Sequence, residues 1–265
     1  MRPQKQTNTR YGDMFYFAED PTIGRSLELY GEYCHNEVEI VKQLANPNGV
    51  LVDVGANIGT HTIGLAPHVA RVLCFEPDPE IHKLLVQNIA ISKHKNITAV
   101  PLALSDMQSQ VGTQFDYGKT MTTSTGNIHA TPLDMIDGLP SIDFIKIDVE
   151  GSELQVLNGM RQTIATSKPN MLIEMQDVTT YADTFELLQG FDYYIYWFTV
   201  ATYNISNHKQ NKEDVFGPQH GVINWICSRE KLNTTLQAVV DRDDTVERMV
   251  WRRNQNVGDD IKHGE

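Results

Sequence analysis

The chain has 265 residues, enough for one large domain or two small ones. It carries 22 Lys and Arg residues against 34 Asp and Glu residues, which gives a formal net charge of −12. Because an acidic surface of this kind repels phosphate backbones, we expect no nucleic-acid partner. The hydrophobic fraction of 40% is typical of a globular protein and excludes a largely disordered chain.

Cysteine usage and hydropathy indicate the setting of the protein. Cys34, Cys74 and Cys227 are widely spaced and form neither a disulfide framework nor a C-x-x-C pair. The first residues lack the apolar core of a signal peptide, and no run of about 18 apolar residues predicts a membrane span. The nine histidines form no H-x-H or H-E-x-x-H pattern, so we expect no metal site. The sequence therefore predicts a reduced, cytoplasmic protein.

Strand and helix patterns alternate along the chain. Apolar runs rich in branched residues predict buried strands at 50–54, 71–75, 97–104, 142–147, 170–174 and 193–198. Apolar residues at helical spacing predict helices at 79–89 behind an Asp78 cap, at 152–164, and at 183–188 before Gly190. The polar segment 108–132 predicts a hairpin. The alternation indicates an α/β protein with a mostly parallel sheet and helices on both faces.

The turn after the first of these strands is the most informative segment. The strand contains Asp53 and leads through Gly55, Ala56, Asn57 and Gly59 into a helix. Glycines allow a tight turn and a close approach to a ligand. A dinucleotide-binding turn has a different glycine spacing, and a carboxylate just ahead of the turn suits a ligand with an ammonium group better than a pyrophosphate. S-adenosylmethionine (SAM) is such a ligand.

Two further acids follow the next two predicted strands. Glu76 ends the second strand, where a carboxylate can accept hydrogen bonds from both hydroxyls of a ribose. Asp106 follows the third, where it could accept from an adenine amino group. Because ligands of open α/β sheets bind at the carboxyl ends of the strands, we expect these acids to surround one crevice with Asp53.

Together with further short motifs, these segments resemble the FkbM family of class I SAM-dependent methyltransferases, and the resemblance extends from about Tyr30 to Met175. The resemblance rests on the segments 31–33 (GEY), 53–59 (DVGANIG), 75–77 (FEP), 103–106 (ALSD), 131–134 (TPLD), 145–151 (IKIDVEG) and 173–174 (IE). It implies a Rossmann-like, seven-stranded, mostly parallel sheet with a terminal antiparallel hairpin, here 193–198 and 222–228. It also implies SAM as cofactor and O-methylation of hydroxyls on sugars, glycolipids or polyketides.

The fourth strand of that fold supplies the catalytic candidates, Asp148 and Glu150. An alcohol is a weak nucleophile, so a carboxylate beside the methyl group would help by taking its proton. The chain lacks the Asn/Asp-Pro-Pro-aromatic run of many enzymes that methylate base amines, which favours oxygen as the nucleophile. Asp148 could instead cap the following helix, and capping is the simpler role for Glu150 and Glu153.

Histidines and a long connection offer weaker signals. His61 follows the glycine turn, and we expect it to be packed or hydrogen-bonded rather than catalytic. The connection 199–221 contains Tyr203, Lys209 and His220, and it would line an acceptor pocket or form a solvated surface loop.

The predicted organisation is an N-terminal cap segment (1–35), a methyltransferase domain (36–230) and a charged C-terminal extension (231–265) with a helix or two. The predicted function is that of a SAM-dependent O-methyltransferase acting on a hydroxyl of a carbohydrate, glycolipid or other small metabolite. The alternatives are a nicotinamide-dependent oxidoreductase on a Rossmann sheet and a methyltransferase-like binding protein without activity. The expected partner is a small-molecule or glycan acceptor, and the sequence indicates no oligomeric state.

Overall fold

The computed structural model describes residues 2–116, 119–218 and 220–248. The strands are β1 (Gln4–Thr9), β2 (Gly12–Phe17), β3 (Val50–Val54), β4 (Arg71–Phe75), β5 (Ile97–Val100), β6 (Ala103–Leu104), β7 (Ser109–Asp116), β8 (Lys119–Thr131), β9 (Phe144–Ile147), β10 (Asn170–Glu174), β11 (Tyr194–Ala201) and β12 (Gly221–Ser228). The helices are α1 (Ile23–Tyr30), α2 (His35–Leu44), α3 (Thr60–Leu65), α4 (Pro79–Ile91), α5 (Glu153–Asn158), α6 (Arg161–Ser167) and α7 (Tyr181–Gln189).

A seven-stranded sheet forms the centre of the protein, in the order β11-β12-β10-β9-β3-β4-β5. The strands from β10 to β5 pair in parallel, whereas β12 is antiparallel to both β10 and β11. This confirms the predicted sheet with its terminal antiparallel hairpin. The chain builds outward from β3 in one direction and from β9 in the other, so the neighbouring carboxyl ends of β3 and β9 mark the topological switch point.

Helices cover both faces of the sheet because its central strands are apolar on both sides. Leu51 and Val52 are neighbours in β3, and their side chains belong to different buried clusters. Val52 packs in the cluster that contains residues of α5, α6 and α7, whereas Leu51 packs with residues of α2, α3 and α4. Both side chains are fully buried, and each such side chain contributes about 1.5–3 kcal/mol.

The predicted helix at 152–164 is wrong in one respect, since the structure has two helices there. The first, α5, ends at Gly159, where a Cβ would lie 1.9 Å from the carbonyl oxygen of Ser105. Asp134 starts the second, α6, by accepting hydrogen bonds from the backbone amides of Gln162 (2.7 Å) and Thr163 (2.8 Å). A capping carboxylate from a distant segment therefore restarts the chain as a new helix.

The predicted strand at 97–104 is also divided. The central sheet keeps only β5, which ends before Pro101, a residue without an amide to donate. After Pro101 the chain leaves the sheet, and β6 pairs in parallel with β8. The strands β6, β8 and β7 form a separate three-stranded sheet, in which β7 and β8 are the hairpin predicted for 108–132.

The two ends of the described chain both pack on the central part. Near the N-terminus β1 and β2 form a hairpin, whose residues Tyr16 and Phe17 share a buried cluster with α1 and α4. Of the helix or two expected after Lys231, residues 231–245 contain none, and helical backbone begins at 246–248. There Trp197 of β11 donates its backbone amide to Gln237 O, and Val239 donates to Ile195 O. The remaining part of the predicted extension, 249–265, lies outside the described residues, and the domain limits stay a prediction.

Within the described residues, no helix is both long and apolar enough to cross a membrane. All three cysteines are buried and free.

Candidate functional site

A cleft of about 930 Å³, with open solvent at its mouth included, lies at the switch point of the sheet. The wall comes from the N-terminal segment, from the carboxyl ends of β3, β4, β9 and β10, and from the three-stranded sheet. It comprises Thr22, Ile23, Tyr33, Val54, Gly55, Ala56, Asn57, Thr60, His61, Phe75, Glu76, Pro77, Leu102, Ala103, Leu104, Thr122, Asp148, Val149, Glu150, Ser152 and Glu174.

The turn after β3 is built on left-handed backbone. Gly55, Asn57 and Gly59 have φ values of 85°, 49° and 93°. At Gly55 a Cβ would lie 1.7 Å from the carbonyl oxygen of Asp148, so the glycine is needed where the ends of β3 and β9 meet. Gly59 is the N-cap residue of α3, and a Cβ there would lie 2.7 Å from Leu85. The glycines therefore serve the packing of the turn on the protein itself.

The amides of this turn all donate within the protein. Those of Gly55 and Ala56 donate to Phe75 O, and that of Gly59 donates to Ala56 O. The amide of Asn57 donates to Glu76 Oε2, and that of Ile58 donates to Asn57 Oδ1. An anion-binding turn presents its amides to the ligand instead. The turn therefore does not offer the cradle that a pyrophosphate needs.

Glu76 is fixed at the end of β4 by two backbone amides. Its Oε2 accepts from Asn57 N and its Oε1 accepts from Asp78 N, both at 2.9 Å. The side chain is 4% exposed, and this burial raises the pKa of Glu76 to about 7 although both hydrogen bonds favour the charged form. A carboxylate held in this way presents its remaining lone pairs to the cleft in a single orientation.

A buried lysine lies beneath the cleft. Lys146 of β9 is 2% exposed, and its Nζ lies 2.9 Å from Asp148 Oδ2. Burial disfavours its charge, but the neighbouring carboxylates of Asp148, Asp53 and Glu37 raise the pKa of Lys146 above its ordinary value. Lys146 therefore stays charged and offsets part of the negative charge around it.

Asp148 and Glu174 are neighbouring carboxyl groups in the wall of the cleft, because each follows one of the paired residues Ile147 and Ile173. Burial and the adjacent Asp148 carboxylate hold the pKa of Glu174 well above its usual range. Burial acts in the same direction on Asp148, but Lys146 and the hydrogen bond from Glu174 lower the pKa of Asp148. The pair therefore holds one proton, which lies on Glu174.

A second buried acid, Glu37 of α2, lies behind this pair. Its Oε1 accepts from Asn224 Nδ2 at 3.0 Å, and its Oε2 lies 3.2 Å from His61 Nε2. Burial raises the pKa of Glu37 to about 7 and lowers that of His61 to about 3. His61 is therefore neutral, and it is packed in α3 as expected, at 7% exposure.

The β7–β8 hairpin closes one side of the cleft. Thr113 Oγ1 donates to Asp78 Oδ2 at 2.6 Å, and Thr122 Oγ1 lies 3.2 Å from Ser152 Oγ. Asp78 follows β4 and Ser152 follows β9, so the hairpin bridges two of the loops that surround the site. Its residue Thr122 is part of the cleft wall.

Comparison with known proteins identifies the family. The model of the methyltransferase FkbM domain matches residues 53–205, more than half of the chain. The chain belongs to the FkbM methyltransferase family. The hexuronic acid methyltransferase AglP of Haloferax volcanii is 28% identical over 165 residues, which cover 58% of this chain and 66% of that relative.

Two solved structures are similar to this chain. An FkbM methyltransferase from Methylobacillus flagellatus KT is 22% identical and has a TM-score of 0.49, covering 75% of this chain and 48% of that one. The precorrin-6y C5,15-methyltransferase of Geobacter metallireducens GS-15 is 13% identical, with a TM-score of 0.50 and coverage of 74% and 88%. The latter supports the class I methyltransferase fold of this FkbM protein.

The structure brings six of the predicted site residues to the cleft of this FkbM protein and leaves three outside its wall. Those in the wall are Gly55, Ala56, Asn57, Glu76, Asp148 and Glu150. Asp53 is fully buried beneath the cleft, where Thr62 Oγ1 donates to its Oδ2 at 2.5 Å. Gly59 lies at the start of α3, behind the turn. Asp106 is exposed, follows β6 outside the central sheet and is not among the wall residues, so its contact with an adenine stays a prediction.

The long connection between β11 and β12 does not reach the cleft either, within its described residues. Lys209 Nζ donates to Thr7 Oγ1 and to Glu28 O, at 2.6 and 2.7 Å. Glu32 accepts from Asn204 Nδ2 and from the backbone amide of His208. The connection therefore fastens the N-terminal segment to the domain.

Sequence reasoning gave no site role to Lys146, Glu174, Glu37 or Tyr33. A signal was present for the first two, because a lysine inside an otherwise apolar strand and a glutamate at a strand end are unusual in a buried parallel sheet. Tyr33 precedes α2 and Glu37 lies within it. Both reach the site only through the packing of the chain. Their positions carry no comparable signal.

Proposed function

We propose that this protein is a SAM-dependent O-methyltransferase that acts on a hydroxyl of a carbohydrate, glycolipid or other small metabolite. The observation that supports it most is the charge of the cleft. Four carboxyl groups, those of Glu76, Asp148, Glu150 and Glu174, lie in its wall, and no Lys or Arg side chain is among the described wall residues. Such a wall suits a cationic ligand.

The described residues fit SAM. Glu76, at the end of β4, would accept hydrogen bonds from the ribose hydroxyls, and Leu102, Ala103 and Leu104 offer an apolar surface to an adenine ring. The acids at the ends of β9 and β10 lie across the cleft, where they would face the ammonium and sulfonium groups. When bound, SAM supplies a methyl group on a positively charged sulfur.

A nicotinamide dinucleotide fits the cleft less well. Its pyrophosphate needs free amides or cationic side chains, and all five amides between Gly55 and Gly59 donate within the protein. The described wall supplies no cation in their place. The geometry therefore favours a methyl donor over a redox cofactor.

The acceptor is proposed from the relatives and from the chemistry of the wall. AglP is named as a hexuronic acid methyltransferase, and this chain spans 66% of its length. Asp148 and Glu150 are the proposed groups that contact the acceptor, and Thr122 and Ser152 offer hydroxyls to a sugar. Because the alcohol oxygen is a weak nucleophile, its reaction needs alignment with the methyl carbon and removal of its proton.

A methyl-transfer assay tests the proposal. The protein is incubated with SAM carrying an isotopically labelled methyl group and with fractionated glycans and glycolipids, and products are identified by mass spectrometry. We expect label on a carbohydrate hydroxyl with wild-type protein and much less label with Glu76→Gln at a SAM concentration that does not saturate the variant. SAM binding without transfer to any fraction would support the inactive, methyltransferase-like alternative instead. Reduction of a nicotinamide cofactor in the same fractions would support the oxidoreductase.

A further inference from the structure

We propose that the Asp148–Glu174 pair releases a proton when the positively charged methyl donor binds, and recovers one from the acceptor hydroxyl during methyl transfer. The inference rests on the proposed function, because it requires SAM in the cleft. It assigns to Glu174 a role in proton transfer, together with the Asp148 carboxylate beside it.

The position of the pair follows from the sheet. In the parallel ladder Ile173 of β10 pairs with Ile147 of β9, so the next residues, Glu174 and Asp148, lie side by side at the carboxyl edge. Both belong to the cleft wall. Lys146 Nζ holds Asp148 Oδ2 at 2.9 Å from below, and Gln176 Nε2 donates to Glu174 Oε1 at 2.7 Å. Each carboxyl group is therefore held in place by a partner that contacts one of its oxygens.

Negative charge around Glu174 exceeds positive charge. The titratable groups that interact with it are Lys146 of β9 and Asp148 just after that strand, Glu37 of α2, and Tyr33 and Cys34 from the segment before α2. Asp53 of β3 adds a fourth carboxyl beside Lys146, and its buried Oδ1 has no hydrogen-bond partner among the described residues. One lysine thus faces four carboxyl groups, which cannot all be ionised without a further cation.

SAM supplies the missing positive charge. In the free protein the proton on Glu174 relieves the repulsion with Asp148, and burial strengthens that preference. A sulfonium beside the pair stabilises the doubly ionised form, so the proton leaves to solvent. S-adenosylhomocysteine has the same ammonium and carboxylate but a neutral sulfur, so it leaves the pair protonated.

Methyl transfer returns the Asp148–Glu174 pair to its singly protonated state, and atoms and charges balance in this step. The C–O bond forms with an electron pair of the acceptor oxygen, and the methyl–sulfur bond breaks with its electron pair remaining on sulfur. The hydroxyl O–H bond breaks, and its proton passes to the carboxyl pair. The positive charge on sulfur and the second negative charge of the pair disappear together, so the base is strong only while the donor is loaded.

Calorimetry counts the protons without any acceptor. SAM and S-adenosylhomocysteine are each titrated into the wild-type protein at pH 7 in buffers that differ in ionisation enthalpy. We expect SAM to release about one proton more than S-adenosylhomocysteine does. If both ligands bind and release the same number of protons, the role of the pair is overturned, whereas the proposed function is not. Absence of binding by either ligand would overturn the proposed function, and the inference with it.

Matched variants locate the proton. Glu174→Gln keeps a donor to Asp148 but has no proton to lose, so the difference between the two ligands should fall to near zero. Glu230→Gln, in an exposed residue after β12, should keep the wild-type difference. Glu37→Gln removes one of the four carboxyl groups and tests whether the released proton comes from Glu37 instead. A difference that survives in Glu174→Gln, or that vanishes only in Glu37→Gln, would contradict the assignment to the pair. The wild-type comparison decides the main point even if Glu174→Gln does not fold.

Discussion

Gly55 faces the carbonyl oxygen of Asp148 so closely that a Cβ on Gly55 would lie 1.7 Å from it. The contact joins the ends of β3 and β9 at the switch point and positions Asp148 in the cleft wall. The contact also explains why the first residue of the turn is a glycine, because the neighbouring chain segment occupies the space that a Cβ would need. No ligand is required to account for it.

Gly55→Ala should destabilise the protein by more than about 4 kcal/mol, because the methyl group collides with backbone and the residue has a φ of 85°. Gly138→Ala is the matched control. Gly138 has a φ of 73° with nothing within 4 Å of its ideal Cβ, so strain alone should cost about 1–2 kcal/mol. Urea unfolding measures both. If both variants lose the same free energy of unfolding, the close approach of Gly55 to the Asp148 carbonyl adds nothing to the cost of backbone strain.

Glu76→Gln should weaken SAM binding about 10- to 100-fold, since a hydrogen bond to a charged group contributes about 1.5–3 kcal/mol. The amide nitrogen of glutamine cannot accept from the backbone amide of Asn57 or Asp78, so the side chain also loses its fixed orientation. Titration calorimetry measures the affinity, with Glu230→Gln as the control. If Glu76→Gln binds SAM with the wild-type affinity, the ribose hydroxyls do not bind at Glu76.

Lys146→Met should destabilise the protein by about 3–5 kcal/mol at pH 8, because it leaves the Asp148 and Asp53 carboxyls buried without a cation. The loss should be smaller at pH 5.5, where these acids bind protons more readily in the variant than in the unfolded chain. Lys42→Met, in an exposed residue of α2, should change the stability by less than about 1 kcal/mol. A pH-independent loss would argue against buried charge as its cause.

The contribution of Glu37 to the stability of the free protein should fall as pH rises from 5 to 7. Burial raises the pKa of Glu37 from 4.5 to about 7, so between these values the unfolded state ionises while the folded state keeps its proton. Unfolding then releases protons, and higher pH favours it.

Glu37→Gln tests this pH dependence directly. Glutamine resembles the protonated acid, since it can accept from Asn224 and donate to His61. The variant should lose a slope of up to about 1.4 kcal/mol per pH unit in urea unfolding between pH 5 and 7. Glu230→Gln should keep the wild-type slope. An unchanged slope in Glu37→Gln would show that Glu37 is ionised in the folded protein.

The sequence predicted the sheet well because the central strands are continuous apolar runs, and it predicted α4 well because that helix carries a clear cap. The side chain of Asp78 accepts from the amides of Glu80 and Ile81, as its place before Pro79 indicated. The break at Gly159 was not predictable, because it depends on the carbonyl of Ser105 and on capping by Asp134. Both partners lie far away in the sequence.

The sequence predicted the site residues that directly follow a strand of the central sheet. It predicted less well how far each acidic side chain lies below the surface of the cleft. Glu76 and Asp148 follow strands of the central sheet and lie in the cleft. Asp53 lies inside β3, one residue before the strand ends, so its side chain is buried beneath the cleft. Asp106 follows a strand that Pro101 had already separated from the central sheet. The pairing of Glu174 with Asp148 depends on strand order, which no local pattern encodes.

A crystal structure with SAM tests the central claim most directly. We predict SAM in the cleft at the ends of β3, β4 and β9, with its ribose hydroxyls on Glu76 and its sulfur beside Asp148 and Glu174. Crystals treated in the same way with a nicotinamide dinucleotide should show no ligand there. SAM bound away from Glu76, or a dinucleotide with its pyrophosphate on the turn at Gly55, would contradict the account.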